Sequence, residues 1–367
     1  MSSDQPPNTP ALDQADRTRS RTRQLIQAGV GLALATVLLV WGLPFFAKTT
    51  WGDIWGVVRT VPWSAVLFYQ GAMLVGLWCY TFTFTGALPG LGHFKALIVN
   101  LCGSSVSNLL PGGGAAGLAA TYAILRSWGF THRATSTAAI VTGVWNLLAR
   151  IALPIIAIFA LWVGNQDLPQ ALADAAVAGL ITGLLILAAF VSVLSSERAA
   201  LALGRAVDRV VVPLRRRQTH PTSVEDFVRD LRLRSADVIA HGWVRMTLGM
   251  VGFFGFYYVL FVLILRGTGV QLPLGILFGA FAIGRLLTAV GVTPGGLGVT
   301  ETATVAALVA WGAPPASAAA GVVLFSIFTH LMEVPLGGIG WLLWSLSTKV
   351  EPPPEGSEAA RVGYVAP

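Results

Sequence analysis

Apolar stretches at about 25–46, 62–85, 134–163, 171–194, 243–265 and 315–346 alternate along the chain with short polar breaks. Each reaches the ~20 residues that a helix rising 1.5 Å per residue needs to cross ~30 Å of hydrocarbon, so six transmembrane helices are predicted. Two further apolar segments, 94–128 and 273–311, are broken in the middle by Pro111-Gly-Gly-Gly114 and by Thr293-Pro-Gly-Gly-Leu-Gly-Val-Thr-Glu301. Their returning arms, 115–128 and 298–311, are 14 residues long. That gives roughly 21 Å of helix, too short for a crossing, and predicts two re-entrant hairpins with the Pro-Gly runs at their tips. In hydrocarbon an unpaired N–H or C=O costs several kcal/mol, so broken backbone survives only inside protein or along a wet cavity.

The two broken segments are copies of one pattern. Setting Pro111 on Pro294 places Gly112 and Gly113 on Gly295 and Gly296, Ala120 on Ala303, Leu125 on Leu308, and Trp128-Gly129 on Trp311-Gly312, without gaps. Repeat one then covers about 62–163 and repeat two about 243–346. Paired, interrupted apolar segments in the two halves of a membrane protein point to a transport site between repeats.

Charge fixes the expected sidedness. Of 24 basic residues only Lys48, Lys95 and Lys349 are lysine. A cytoplasmic N-terminus puts Arg126, Arg133, the nine arginines from Arg198 to Arg234, and Lys349 inside, leaving Lys48, Arg59 and Arg266 outside. This satisfies the positive-inside rule and predicts a multi-pass protein of the cell's inner (plasma) membrane with both termini cytoplasmic. Three crossings separate the starts of the repeats, so the second copy is inverted. The first apolar stretch follows Arg17, Arg19, Arg21 and Arg23 but is too long for a secretory signal, and it reads as a retained helix. Residues 1–24 and 347–367 are expected to be disordered, and 25–346 to form the membrane domain.

The cytoplasmic basic loop 195–242 contains Thr222-Ser-Val-Glu225, a capping-box pattern, ahead of Val224, Phe227, Val228 and Leu231 at helical spacing. A basic amphipathic helix on the inner leaflet is one reading, and a charged linker that only sets topology is the other.

Composition agrees: 54% hydrophobic residues, 11% charged and a mean hydropathy of +0.70 describe an integral membrane protein. Cys79 and Cys102 lie in apolar segments and offer neither a disulfide framework nor a thiolate metal site. Gly112-Gly-Gly-Ala-Ala-Gly117 matches a dinucleotide-binding pattern formally, but it follows a membrane segment rather than a strand, and position 137 is Thr where an acid is needed. No phosphate-binding loop and no His-Glu-x-x-His motif occur. No cofactor, no metal and no enzymatic activity are expected, and the arginines are explained by sidedness rather than by nucleic acid.

Only Arg150, Arg285, Glu301 and Glu333 are charged residues lying well inside apolar segments. A charge at the bilayer centre costs ~2.5–3.5 kcal/mol on insertion scales, so each must face a cavity or a partner. Arg150 and Glu333 are equivalent in register, each 39 residues after its proline. That predicts a coupled Arg150–Glu333 pair; the structural alternative is an Arg150–Glu333 or Arg285–Glu301 ion pair that merely holds helices together. Glu301 stands in the first turn of a returning arm. It either caps that helix or contacts a cationic headgroup or a proton, while Arg150 or Arg285 and the tip N–H groups bind an anionic headgroup. His330 is a weaker candidate, more often a packing residue. The candidate binding set is therefore Arg150, Arg285, Glu301, His330 and Glu333 with the tip residues Pro111, Gly112, Gly113, Gly114, Pro294, Gly295, Gly296 and Gly298.

The run Pro294-Gly-Gly-Leu-Gly-Val-Thr-Glu301 resembles the transmembrane region of lysylphosphatidylglycerol synthases, flippase-like proteins that also occur without a synthase domain. The likeness covers about 25–346. It implies an all-α polytopic fold of two inverted repeats, each with a re-entrant hairpin, and movement of a phospholipid or polyprenyl-linked lipid between leaflets. The acyltransferase domain of the full-length synthases has no counterpart here, so aminoacylation by this chain is not expected. The implied partners are membrane lipids, anionic or polyprenyl-phosphate-linked, with homo-oligomers compatible. Two other classes compete: a membrane-embedded glycosyl- or aminoacyltransferase component, and a proton-coupled transporter of small solutes.

Overall fold

A computed structural model describes residues 49–110, 113–164, 224–288 and 293–350, with a few isolated positions elsewhere. The expected spans at 25–46 and 171–194, most of the loop 195–242, and Pro111 and Gly112 lie outside the described residues.

Among the described residues the secondary structure is helical. In chain order the helices are α1 (Trp51–Val58), α2 (Trp63–Ala87), α3 (His93–Leu109), α4 (Gly113–Ser127), α5 (His132–Val163), α6 (Val224–Gly267), α7 (Leu274–Leu287), α8 (Val299–Ala310), α9 (Pro315–Ser326) and α10 (Glu333–Leu346). A π-helical turn, Ile327–Leu331, joins α9 to α10 within one continuous segment. Among the described residues four segments are long and apolar enough to cross a membrane: Trp63–Ala87, His132–Val163, Asp237–Gly267 and Pro315–Leu346. They correspond to four of the expected spans, and the chain is a multi-pass membrane protein.

The basic helix expected within 195–242 takes a different form. Instead of a separate surface element, residues from Val224 onward are the first turns of α6, which continues unbroken to Gly267. Thr222 and Ser223 of the capping pattern lie outside the described residues, and nothing between 231 and 243 breaks the helix.

The two broken segments fold as the paired helices α3/α4 and α7/α8. At 14 and 12 residues, α7 and α8 are roughly 21 and 18 Å long, short of a hydrocarbon layer. α4 and α8 stop in the same way. Gly129 and Gly312 adopt φ of 86° and 91°, and the N–H groups of Phe130 and Ala313 donate to the C=O groups of Leu125 and Leu308. This is the Schellman arrangement at the Trp-Gly pairs that the register matched.

Long-range packing crosses between the halves. α10 lies along α3, α5 lies along α7, and α6 packs along α2. Small residues set the approach. A Cβ on Gly337 would stand 2.2 Å from the Ser105 Cβ and 2.8 Å from the Leu101 carbonyl oxygen, so α10 meets α3 where only glycine fits. The aromatic core sits where α6, α7 and α9 meet, with Phe261 5.1 Å from Phe325 and 5.8 Å from Phe281, ring centre to ring centre.

Candidate functional site

The helix ends surround a cavity of about 590 Å³, within the size range of small-molecule sites. Its wall includes Asn108 and Ser107 from the last turns of α3, Gly113, Gly114 and Leu118 from α4, and Asn146 and Arg150 from α5. Tyr257 comes from α6, Arg285 from α7, Gly295 and Gly296 from the 3-10 turn Pro294–Gly296, His330 from the π turn and Glu333 from the first turn of α10. The cavity therefore gathers Arg150, Arg285, His330, Glu333, Gly113, Gly114, Gly295 and Gly296 of the sequence-derived set.

Broken backbone shapes the wall. Gly295 has φ of 60°, a left-handed conformation that a side chain would strain, and a Cβ there would lie 2.9 Å from the Asn108 side-chain oxygen. The second tip thus rests on the end of α3. The π turn widens its helix by one residue and carries buried His330, whose carbonyl accepts from the Asn108 amide at 3.2 Å.

Each buried charge has its own arrangement. Glu333, 7% exposed, accepts from Asn108 Nδ2 and from the Tyr257 hydroxyl, both at 3.1 Å. Arg150 donates from Nε to Asn146 Oδ1 at 3.0 Å and from Nη1 to the Arg285 carbonyl at 3.0 Å and to the Thr288 hydroxyl. Its guanidinium thereby caps the C-terminal turn of α7, whose carbonyls have no partners within the helix. Arg285, also 7% exposed, differs from both. Its side chain donates no hydrogen bond among the described residues, its buried Nε has no partner, and its guanidinium carbon stands 5.1 Å from the Phe325 ring centre and 5.8 Å from that of Phe281. Cation–π attraction holds it there while its N–H donors remain unspent.

Two expectations are corrected. Neither an Arg150–Glu333 nor an Arg285–Glu301 ion pair within 4 Å occurs: each charge except Arg285 finds neutral polar groups at a nearby helix end before it finds an opposite charge. Glu301 does not line the main cavity. It is 1% exposed and reaches back to the Gly298 N–H at 2.6 Å, to the Thr300 hydroxyl at 3.0 Å and to the Ser326 hydroxyl, so it caps α8 and pins it to α9. Gly298, with φ of 84°, is the N-cap of that helix. Pro294 belongs to the tip turn Pro294–Gly296.

Sequence reasoning missed Asn108, Asn146, Tyr257, Thr288 and Phe325. Asn146 lies four residues before Arg150, a spacing that faces the two side chains together on a helix, and this signal could have found it. The others are neutral residues whose partners lie in distant segments.

Four lining residues are solvent-exposed in the isolated chain: Gly114, Ala115 and Leu118 on α4 and Gly143 on α5. Among the described residues these four place an opening between α4 and α5, and none of the four carries a polar side chain. Among the described residues no cluster of His, Cys, Asp and Glu has the makings of a metal site.

No curated protein matches the chain. The family described as "Lysylphosphatidylglycerol synthase TM region" matches residues 28–337, and the chain belongs to it.

Proposed function

We propose that this member of the lysylphosphatidylglycerol synthase transmembrane-region family is a lipid transporter. It moves a phospholipid or polyprenyl-linked lipid between leaflets, with the polar head inside the cavity and the hydrocarbon in the membrane. The observation that carries this reading is the contrast between wall and mouth. The wall presents Asn108, Asn146, Arg150, Arg285, His330 and Glu333, whereas the exposed lining residues among those described are Gly114, Ala115, Leu118 and Gly143. A volume of about 590 Å³ suits a headgroup and excludes a whole two-chain lipid, whose tails must leave through the rim. An aqueous solute gains nothing from an apolar doorway, so the small-solute reading fits less well.

In this reading α3/α4 and α7/α8 are re-entrant hairpins of two inverted repeats, entering from opposite faces with both termini cytoplasmic. The matched Schellman ends and the crossed packing of α10 on α3 and α5 on α7 support it. The chain works as a translocator and not as a transferase, and the arginines of 195–242 set its orientation in the inner membrane.

Native mass spectrometry of the purified protein tests the class of ligand. The wild type should retain one class of anionic lipid through delipidation. Gly143→Trp, at a position where an added Cβ meets no atom within 4 Å, should fold and lose it by blocking the mouth. Equal retention of all bulk lipids by both proteins would contradict the reading.

A further inference from the structure

The geometry points to Arg285 as the residue that takes the phosphate of the transported lipid, and to Arg150 as a positioning residue that does not touch it. This rests on the translocation reading and divides roles that the sequence left shared between the two arginines.

The division follows from what each guanidinium already does. Arg150 spends Nε and Nη1 on Asn146, the Arg285 carbonyl and Thr288, so its planar fork is fixed on the end of α7. Arg285 is more than nine-tenths buried and lines the cavity, and its buried Nε has no hydrogen-bond partner. A buried cation without an acceptor is costly, and a fork of free N–H donors matches the oxygens of a phosphate in spacing and charge. Phe325 and Phe281 hold the guanidinium through their ring faces rather than through a hydrogen-bond acceptor, with its carbon 5.1 and 5.8 Å from their ring centres. The nearby carboxylates do not satisfy it. Glu301 is occupied by Gly298, Thr300 and Ser326, and Glu333 by Asn108 and Tyr257. Arg150 still matters, because it holds the turn from which Arg285 projects. Losing it loosens the site without removing a ligand contact.

The test uses the full chain purified in detergent. Dihexanoylphosphatidic acid, the simplest lipid phosphate, is titrated beside inorganic phosphate and beside phosphate-free dihexanoylglycerol. Arg285→Gln should weaken lipid-phosphate binding roughly ten- to hundredfold, the loss expected for a charge-assisted contact, and Arg285→Lys should fall between. Arg150→Gln should change binding less than about threefold, while amide exchange at Arg285–Thr288 rises as the α7 end frays. Unchanged binding in Arg285→Gln and Arg285→Lys, or an equal loss in Arg150→Gln, would overturn the assignment. Saturation by inorganic phosphate at the same concentrations would show a free-phosphate site and overturn the lipid source. The two readings fail separately. Binding that depends on Arg285 in a protein that moves no lipid refutes translocation alone, and lipid transport with phosphate binding indifferent to Arg285 refutes this inference alone.

Discussion

Asn108 and Glu333, 225 residues apart in the chain, are joined by a 3.1 Å hydrogen bond that ties the last turn of α3 to the first turn of α10. Arg150 does the same in the opposite sense, reaching from α5 to the end of α7. Arg150 and Glu333 each stand 39 residues after the proline of their own broken segment. Each secures the broken helix end of the other half, so the halves are interlocked at the cavity rather than merely packed.

The Asn108 bond is testable on its own. Asn108→Ala leaves a buried carboxylate with one donor fewer, a loss of about 1–3 kcal/mol. Asn108→Asp adds a like charge beside Glu333 and should lower the unfolding temperature in detergent further than Asn108→Ala. An Asn108→Asp protein as stable as wild type would show that the contact carries no weight.

The α3–α10 contact tolerates no extra atom at Gly337. Gly337→Ala should cost about 1–3 kcal/mol through overpacking against Ser105 and the Leu101 carbonyl. Ser105→Gly should restore part of that loss in the double variant, since the carbonyl contact remains. Additive losses in the double variant would contradict this packing.

Glu301 behaves as a cap in this account. Glu301→Ala strands the Gly298 N–H and the Thr300 and Ser326 hydroxyls and should lower stability by about 1–3 kcal/mol. Glu301→Gln keeps an acceptor and should both fold and transport lipid. Thermal unfolding together with a liposome transport assay checks this, and a well-folded Glu301→Gln protein without transport would return Glu301 to a direct role.

The proposed sidedness rests on the arginine distribution. Cysteines placed at Gly164 and Pro314 should react with an impermeant thiol reagent on intact cells, and one at Thr348 only after permeabilisation. The reverse pattern would invert the topology.

Much of this was legible in the sequence because the governing physics is local. Length and hydropathy define α2, α5, the membrane part of α6 and the α9–α10 segment, and Pro and Gly mark where α3/α4 and α7/α8 break. The gap-free register even matched the Trp128-Gly129 and Trp311-Gly312 ends. The partners of the charges were not legible. Asn108 and Tyr257 are unremarkable neutral residues until folding brings them against Glu333, and a charge scan pairs charges only with charges. Glu301 shows the same limit in reverse: first-turn position allowed both capping and ligand contact, and only the positions of Gly298 and Ser326 separate them.

The most direct measurement of the central claim is lipid movement itself. The purified protein is reconstituted in liposomes with a headgroup-labelled fluorescent anionic phospholipid, and the fraction reachable by a membrane-impermeant quencher is followed over time. The account predicts faster inter-leaflet exchange than in protein-free liposomes, with the gain abolished by Gly143→Trp at the mouth and by Arg285→Gln at the phosphate. Exchange no faster than in protein-free liposomes, or a wild-type rate in both variants, would contradict it.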